Sequence, residues 1–397
     1  MKKKIAIIGA GIGGLTLGNL LQQKSDFEFI IYEKRETLNL EEGFGIQLAV
    51  NSISVLNQIG FSSLSKSEIY NPARLDFYSN QNKICDLDLT QFNNETEKYT
   101  TIKRSTLIKF LKNKLFSNLI RFNKKVESVK QKKKNIEINF QDGSNEEVDY
   151  LVVCDGVNSQ TKSIIENKNF WRGGFFDQET NAFFATSPNY YGSLAVRTLV
   201  DSQEIKNFNK KNISLLMSSN AHMVLYPINE KEHNLVVIIR NKANNFLSST
   251  KLDFIKKILK DSILKGNSNL KSLFNGKLNC WPVYTSKDPS NSKLNNVFYL
   301  GDAFYTLPPT MAQGASQSIE GAMELFQIFE SSVNDKQNLY FINRLNKTKI
   351  INKRSNFNYL IFHFSNKLMV SFRNLILKKI INNNKFVKTY LGKVFRK

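Results

Sequence analysis

The sequence predicts an α/β fold: a parallel sheet covered by helices, a second unit made of an antiparallel sheet, and a helical C-terminus. Three observations lead there. Ile5-Ala6-Ile7-Ile8 runs into Gly9-Ala10-Gly11-Ile12-Gly13-Gly14 and then an apolar helix stripe, the strand, tight turn and helix of a Rossmann-like unit. Between residues 171 and 280 the pattern changes to a series of strand segments. Val297-Phe298-Tyr299-Leu300 then restores a buried strand, cut at Gly301, after which Ile319, Ala322, Met323, Phe326 and Phe329 share one helix face. At 397 residues the chain is long enough for one large α/β unit and a second one.

Composition narrows the function classes. Lys and Arg number 56 against 34 Asp and Glu, a net charge of +22. Such a balance suits nucleic acid or an anionic membrane surface. Lys and Asn are scattered through the whole chain, however, and no helix-turn-helix, zinc-finger or aromatic RNA-binding signature occurs, so we expect compositional bias and no nucleic-acid partner. Cys85, Cys154 and Cys280 are far apart, and with 3 histidines and no close His/Cys pair neither a disulfide framework nor a metal site is expected. Lys2-Lys3-Lys4 before an uncharged stretch imitates a signal peptide, but the glycines within that stretch argue against one. No uncharged apolar run is long enough to span a bilayer, and the expected location is cytoplasmic.

The N-terminal motif is specific because all its parts are present. Gly9, Gly11 and Gly14 have the G-x-G-x-x-G spacing, Leu17, Leu20 and Leu21 begin the helix stripe, and Phe27 to Tyr32 forms a second strand ending at Glu33. The glycines permit a tight turn and close approach of backbone to a pyrophosphate, the helix start faces it, and the carboxylate can hold ribose hydroxyls. Glu42 to Gly60 carries Gly43 and Gly45, then a helix stripe at Ala49, Ile53, Leu56 and Ile59, with Gly60 placed to end it. Arg74 to Leu89 reads as two short strands that leave the first unit and return. At Arg104-Ser105 a helix begins, with Ser105 as expected N-cap and Leu107, Phe110, Leu111 and Leu115 as its buried stripe. An arginine just before a helix start can hold a phosphate or a ring edge.

Ile136, Ile138 and Phe140 alternate with polar residues up to Asp142-Gly143, a hairpin signal, and Val148 to Val153 is a buried strand closed by Cys154-Asp155-Gly156, with Ser159 and Lys162 behind it. The second unit shows strands at Ser193 to Val200, Ile213 to Met217, His222 to Tyr226 and Leu235 to Ile239, then a helix through Leu252, Ile255, Leu259 and Leu264. Asp302 sits at the carboxyl end of the next strand. Pro308 and Pro309 stiffen the loop after it, and Gly314 lets the chain enter a helix close to a ligand, with free N–H groups and a positive dipole end facing that ligand. Beyond Ser331 the chain is helical and basic, with Leu360, Phe364, Leu368 and Phe372 at near-helical spacing. A helix pair docked on the core is the favoured reading; an interfacial amphipathic helix peripheral to the inner face of an anionic membrane is the sharper one.

Gly-Asp-Ala at 301–303 followed by Pro-Pro, Gln-Gly and a helix with Glu320 resembles the second FAD fingerprint of the single-component flavoprotein aromatic hydroxylases, the para-hydroxybenzoate and salicylate hydroxylase family. Phe304-Tyr305 stands where Ala-His is usual and Glu320-Gly321 where Glu-Asp is usual. The resemblance implies that Asp302 binds the ribityl chain of FAD and that Pro308 and Gly314 face the isoalloxazine ring. It places Gly45 to Gln47 along the flavin, Arg104 on FAD, and Asp155 beside the pyrophosphate and the passing nicotinamide, with Lys162 in place of the usual arginine. Ala195-Val196-Arg197 and His222 to Pro227 resemble the salicylate hydroxylase branch, so His222, Tyr226 and Arg197 become substrate-site candidates.

The implied organisation is a FAD-binding Rossmann-like domain over 1–170, with 74–97 lent to the substrate domain, an antiparallel substrate domain over 171–280, the second part of the FAD domain over 281–335, and C-terminal helices over 336–397. The implied activity is hydroxylation of a phenolic, benzoate-type or quinone-precursor substrate by O₂. FAD is bound, and NADH or NADPH is used in passing, because no second G-x-G-x-x-G exists. A flavin-dependent reductase of isoprenoid lipids would share the same framework. A basic membrane-surface binding protein would explain the charge but not the nucleotide motifs.

Overall fold

The computed structural model describes residues 2–38, 40, 44–79, 82–166, 176–177, 182–183, 189–241, 252–265 and 267–395. Glu42 and Gly43, singled out above, and Trp171, where the second unit is expected to begin, lie outside the described residues. The chain opens with β1 (Lys3–Ile8), α1 (Ile12–Leu21), β2 (Phe27–Tyr32), β3 (Gly45–Leu48) and α2 (Val50–Asn57). β4 (Ile69–Tyr70), β5 (Arg74–Ser79), β6 (Asn82–Asp88), β7 (Thr100–Lys103) and α3 (Arg104–Lys114) follow. Next come β8 (Ile120–Arg121), β9 (Val126–Gln131), β10 (Ile136–Phe140), β11 (Asn145–Val148), β12 (Tyr150–Val153) and α4 (Gln160–Ile165). Ile5, Ala6, Ile7 and Ile8 are all buried, as a parallel strand covered on both faces requires.

Three local expectations differ from the structure. The helix stripe expected from Ala49 to Ile59 is shorter, since β3 pairs with β7 up to Leu48, Ala49 is the N-cap and α2 ends at Asn57. Lys103, not Ser105, occupies the N-cap of α3, because β7 runs directly into the helix and the Arg104 N–H already donates to the Phe44 carbonyl at 2.9 Å. Val148 closes the hairpin opposite Ile136, and the parallel strand starts only at Tyr150. Gly60 does follow α2 with φ +86°, the left-handed geometry that ends a helix.

The second unit contains the short pair β13 (Phe176–Asp177) and β14 (Ala182–Phe183), then β15 (Asn189–Asp201), β16 (Ile213–Met217), β17 (Ala221–Pro227), β18 (Glu232–Arg240), α5 (Leu252–Asp261) and β19 (Asn279–Thr285). Its sheet has seven strands in the order β19-β15-β18-β17-β16-β5-β6. All its pairs are antiparallel except β5 with β16, because β5 arrives from the first unit and not through a hairpin. β19 runs on to Thr285, so the sheet extends past residue 280. The two units meet where the Gly45 N–H donates to Asn234 Oδ1 at 2.8 Å; a Cβ at Gly45 would lie 2.5 Å from the Asn234 Cβ.

β20 (Val297–Tyr299) returns to complete a fully parallel sheet, β20-β12-β1-β2-β8. The helices α6 (Gly314–Glu330), α7 (Lys336–Phe362), α8 (Lys367–Ile381) and α9 (Asn384–Phe395) follow. The single stripe expected through Leu360 to Phe372 is split, since α7 stops at Phe362 and the Asn366 side chain caps α8 by accepting from the Leu368 and Met369 N–H groups. The helix pair expected there is therefore three helices, two of them beyond the split.

A buried polar network ties α2, α6 and α7 together. Arg344 Nη1 lies 3.0 Å from Glu320 Oε1, Arg344 Nη2 donates to Gln317 Oε1 at 2.6 Å, and Asn51 donates to the other Glu320 oxygen. Glu320 thus serves the packing of the three helices. Removing one partner of a buried pair typically costs about 3–5 kcal/mol, because the other charge is left alone. Arg344→Ala should lower stability in urea unfolding by that order; a loss under about 1 kcal/mol, the scale of an exposed pair, would show that the network does not carry the α6–α7 contact.

Candidate active site

The carboxyl ends of β1, β2, β12 and β20 converge at one edge of the parallel sheet, where open α/β sheets bind their ligands. Gly9, at the end of β1, has φ +110°, and a Cβ there would lie 2.7 Å from the Cys154 carbonyl oxygen. A Cβ on Gly14 would lie 2.1 Å from the Gly9 oxygen, so this glycine sets the contact of α1 with its own turn. Gly11 differs from both: nothing lies within 4 Å of the Cβ position, which leaves open space in front of the start of α1. Glu33, at the end of β2, accepts the Ala10 N–H at 2.9 Å and the Arg35 N–H at 3.1 Å, which fixes its carboxylate beside the glycine turn.

Asp155 follows β12. Its Oδ2 accepts from the Thr161 N–H at 3.2 Å, while Oδ1 is buried with no hydrogen-bond partner among the described residues. Lys162, in the first turn of α4, donates to the Ala303 carbonyl at 2.9 Å, linking the segment after β12 to that after β20. Asp302 lies just past β20; desolvation pushes its carboxyl up to about 6, against the pull of the Arg104 guanidinium. Asp302 and Arg104 are thus electrostatically coupled although 198 positions separate them in sequence.

Beyond Asp302 the chain passes Pro308 and Pro309, makes a 3-10 turn over Pro309–Met311 and enters α6 at Gly314, whose Cβ position also faces open space. Gln313 caps α6, and its Nε2 is a buried donor without a partner among the described residues. These features fit a dinucleotide with a flavin ring: an open cradle at Gly11, carboxylates at Glu33 and Asp302, and a donor-rich helix start at Gly314 behind a rigid proline loop.

A cavity of about 670 Å³ continues from that loop. Asp302, Pro308, Gly314, Gly45 and Gln47 border one end, and the inner face of the seven-stranded sheet forms a wall through Arg197, His222, Val224 and Tyr226. The sequence places His222, Val224 and Tyr226 on one strand face by their alternation, and all three line the cavity. At about 3.3 Å per residue, His222 and Tyr226 are about 13 Å apart, so the structure does not bring them together.

Tyr226 is at the end nearer the parallel sheet. Burial raises its phenol above the ordinary range, partly offset by the Arg197 guanidinium and by Gln47. Gln47 Oε1 also accepts from the Tyr99 hydroxyl at 2.7 Å. Arg197 lies 6.0 Å over the Trp281 ring. At the other end His222 Nδ1 and His363 Nε2 share a hydrogen bond of 2.9 Å. Burial lowers His222 to about 3 and, with help from His222 and Arg240, lowers His363 to about 2, so both rings are neutral at physiological pH. Tyr99, Asn234 and His363 are cavity or near-cavity residues that the sequence did not flag, although each is hydrogen-bonded to a segment that it did: Tyr99 to Gln47, Asn234 to Gly45 and His363 to His222.

Fold and site together define a nucleotide-dependent enzyme architecture in which a parallel sheet presents a cofactor to a cavity roofed by a second sheet. Residues 2–338 match the family described as FAD binding domain, and the chain belongs to it. The chain is 23% identical over 347 residues to 6-hydroxynicotinate 3-monooxygenase of Bordetella bronchiseptica, covering 83% of this chain and 84% of that one. It is 22% identical over 341 residues to 3-amino-4-hydroxybenzoate 2-monooxygenase PtmB3 of Streptomyces platensis, covering 82% and 78%. Among solved structures, Klebsiella pneumoniae HpxO complexed with FAD and uric acid superposes with a TM-score of 0.78 at 17% identity, covering 98% of this chain and 97% of that one. The 2,6-dihydroxypyridine-3-hydroxylase of Arthrobacter nicotinovorans gives 0.73 at 15% identity, covering 90% and 91%.

The raised Asp302 carboxyl gives the FAD-free protein a pH signature. Between its ordinary value of 3.8 and about 6, the folded chain holds a proton that the unfolded chain releases, so stability from this group falls as pH rises through that window. Asp302→Asn should flatten that part of the curve in urea unfolding of FAD-free protein from pH 4 to pH 7. An unchanged slope would mean that Asp302 is not desolvated.

Proposed function

We propose that the chain is a FAD-dependent monooxygenase that uses NADH or NADPH and O₂ to hydroxylate a phenolic or benzoate-type ring. The observation that carries this reading is the continuity of the cavity with the Asp302 to Gly314 segment: a ring placed there lies against the face where the family's flavin is expected. The named activities of the relatives, which are aromatic ring monooxygenases, support it. In this proposal the unit over 1–170 and 281–335 holds FAD, and 171–280 with 74–97 forms the substrate face, backed by the helices over 336–397. Gly9, Gly11, Gly14 and Asp155 receive the pyrophosphate, Glu33 the ribose, Asp302 and Arg104 the ribityl chain and its surroundings, and Pro308 and Gly314 the isoalloxazine.

FAD, when bound, supplies the redox chemistry that carries electrons from the nicotinamide to O₂. The chain's own part is to seat the ring, exclude water and manage one phenolic proton. Tyr226, Arg197 and Gln47 stand at the cofactor end of the cavity, where a phenol oxygen can be held and its anion favoured by the guanidinium. His222 stays neutral and can only accept or donate a hydrogen bond, so it holds the far part of the substrate or the wall itself. Apolar side chains such as Val224, Val236 and Leu215 keep the space between them dry.

Tyr226→Phe should therefore cut hydroxylation by about 10²–10⁴-fold, the usual worth of positioned proton transfer, with little change in FAD content, while NAD(P)H consumption runs on to hydrogen peroxide. His222→Gln should change the ratio of hydroxylated product to NAD(P)H consumed far less. Equal effects of both variants on that ratio would contradict the assignment of the ring to the Tyr226 end.

We also propose a weak peripheral contact with the inner face of an anionic membrane, with the protein otherwise cytoplasmic. No helix among the described residues is long and apolar enough to cross a membrane. Leu368, Phe372 and Leu375 of α8 are exposed, and Lys367, Lys378 and Lys379 flank them. Flotation with anionic vesicles should show binding that is lost as salt is raised; no binding even at low salt would remove this part of the proposal.

A further inference from the structure

We infer that the substrate is an amphiphile, an aromatic ring that carries a long apolar chain, and this inference rests on the hydroxylase reading above. Pockets of about 300–1,000 Å³ hold drug-sized ligands, and a cavity of about 670 Å³ is larger than a bare phenol requires even after an isoalloxazine ring takes its place by Asp302 and Gly314. Beyond Tyr99 and Tyr226 the space continues as an arm between two layers. Leu75, Phe77 and Leu87 of β5 and β6 form one side; Leu377, Ile381 and Leu391 of α8 and α9 form the other.

The polar groups along this far region are already bonded within the protein. Arg373 donates to Ser79 Oγ at 3.0 Å and to the Ile361 carbonyl at 3.2 Å, and His222 is bonded to His363. An occupant of the arm therefore meets hydrocarbon and has no unmet polar partner to satisfy. The arm also opens at a surface of the same character. Phe357 is 55% exposed, Met369 48% and Phe372 64%, yet all three line the cavity, so they belong both to its wall and to the exterior. A cavity for a small polar ring would gain nothing from an apolar rim, whereas a chain lying in the arm would shield the arm walls and shelter the rim from water. The cavity wall is thus polar at the cofactor end, around Tyr226, Gln47 and Tyr99, and formed by apolar side chains and internally bonded polar ones toward the α7–α8 opening, which matches a ring with a chain in one orientation only.

The test is a chain-length series on the FAD-loaded full chain: 4-hydroxybenzoate and its butyl, octyl and dodecyl esters. Dissociation constants come from the change in flavin absorbance, and KM and kcat from phenol-stimulated NADH oxidation. Each methylene buried in the arm should tighten binding by up to about fourfold, with the gain in KM and little change in kcat. Leu377→Trp, which fills the arm, should flatten the series. Octyl and dodecyl esters that bind no better than 4-hydroxybenzoate, while the short phenol is hydroxylated, would overturn the inference and leave the hydroxylase reading intact. If none of the phenols perturbs the flavin or stimulates NADH oxidation, the hydroxylase reading fails and the inference falls with it.

Discussion

The whole cofactor end depends on how closely two strand ends approach each other. β1 and β12 are adjacent and parallel, and the turns that leave them, at Gly9 and at Cys154-Asp155, are in contact because Gly9 has no side chain. Gly14 allows α1 to close on the same turn. Once these backbones meet, Glu33 from β2 can tie down the Ala10 N–H, Asp155 can stand beside the cradle, and the start of α1 can face open space at Gly11. Two missing side chains thus arrange three charged or donor groups that come from distant parts of the chain.

The second constraint is where the seven-stranded sheet gets its strands. β5 and β6 leave the first unit early, β5 pairs with β16 and β6 with β5, and so they extend the substrate wall to the place where α8 and α9 lie. The contact of Gly45 with Asn234 joins the units at the cofactor end, and Arg373 with Ser79 joins sheet and helices at the far end. Between these two joints the cavity is bordered by side chains from both units, which is why its polarity changes along its length.

Much of this was legible in the sequence wherever the cause is local. The strand at Phe27–Tyr32, the strand at Ile213–Met217, the hairpin after Phe140 and the end of α2 at Gly60 follow from periodicity and turn chemistry, and each appears at or near its expected place. Misreadings came where a partner elsewhere in the chain decides. Ser105 has good N-cap chemistry, but Phe44 already serves the helix start; the short strand Gly45–Leu48 shows only once β7 pairs with it. Nothing near Glu320 in sequence announces its partner Arg344, and nothing near His222 announces His363. The candidate residues themselves were visible as types at motif positions; the distance between His222 and Tyr226 needed only their strand assignment, while the Tyr226–Gln47–Tyr99 group needed the fold.

The central claim is that these two units together direct an oxygen atom from O₂ onto an aromatic ring. The most direct measurement is the mass of the product formed from an accepted phenol under heavy-isotope dioxygen in ordinary water. The account predicts one labelled oxygen atom in the ring product. A product without label, or one that has gained hydrogen and no oxygen, would contradict it.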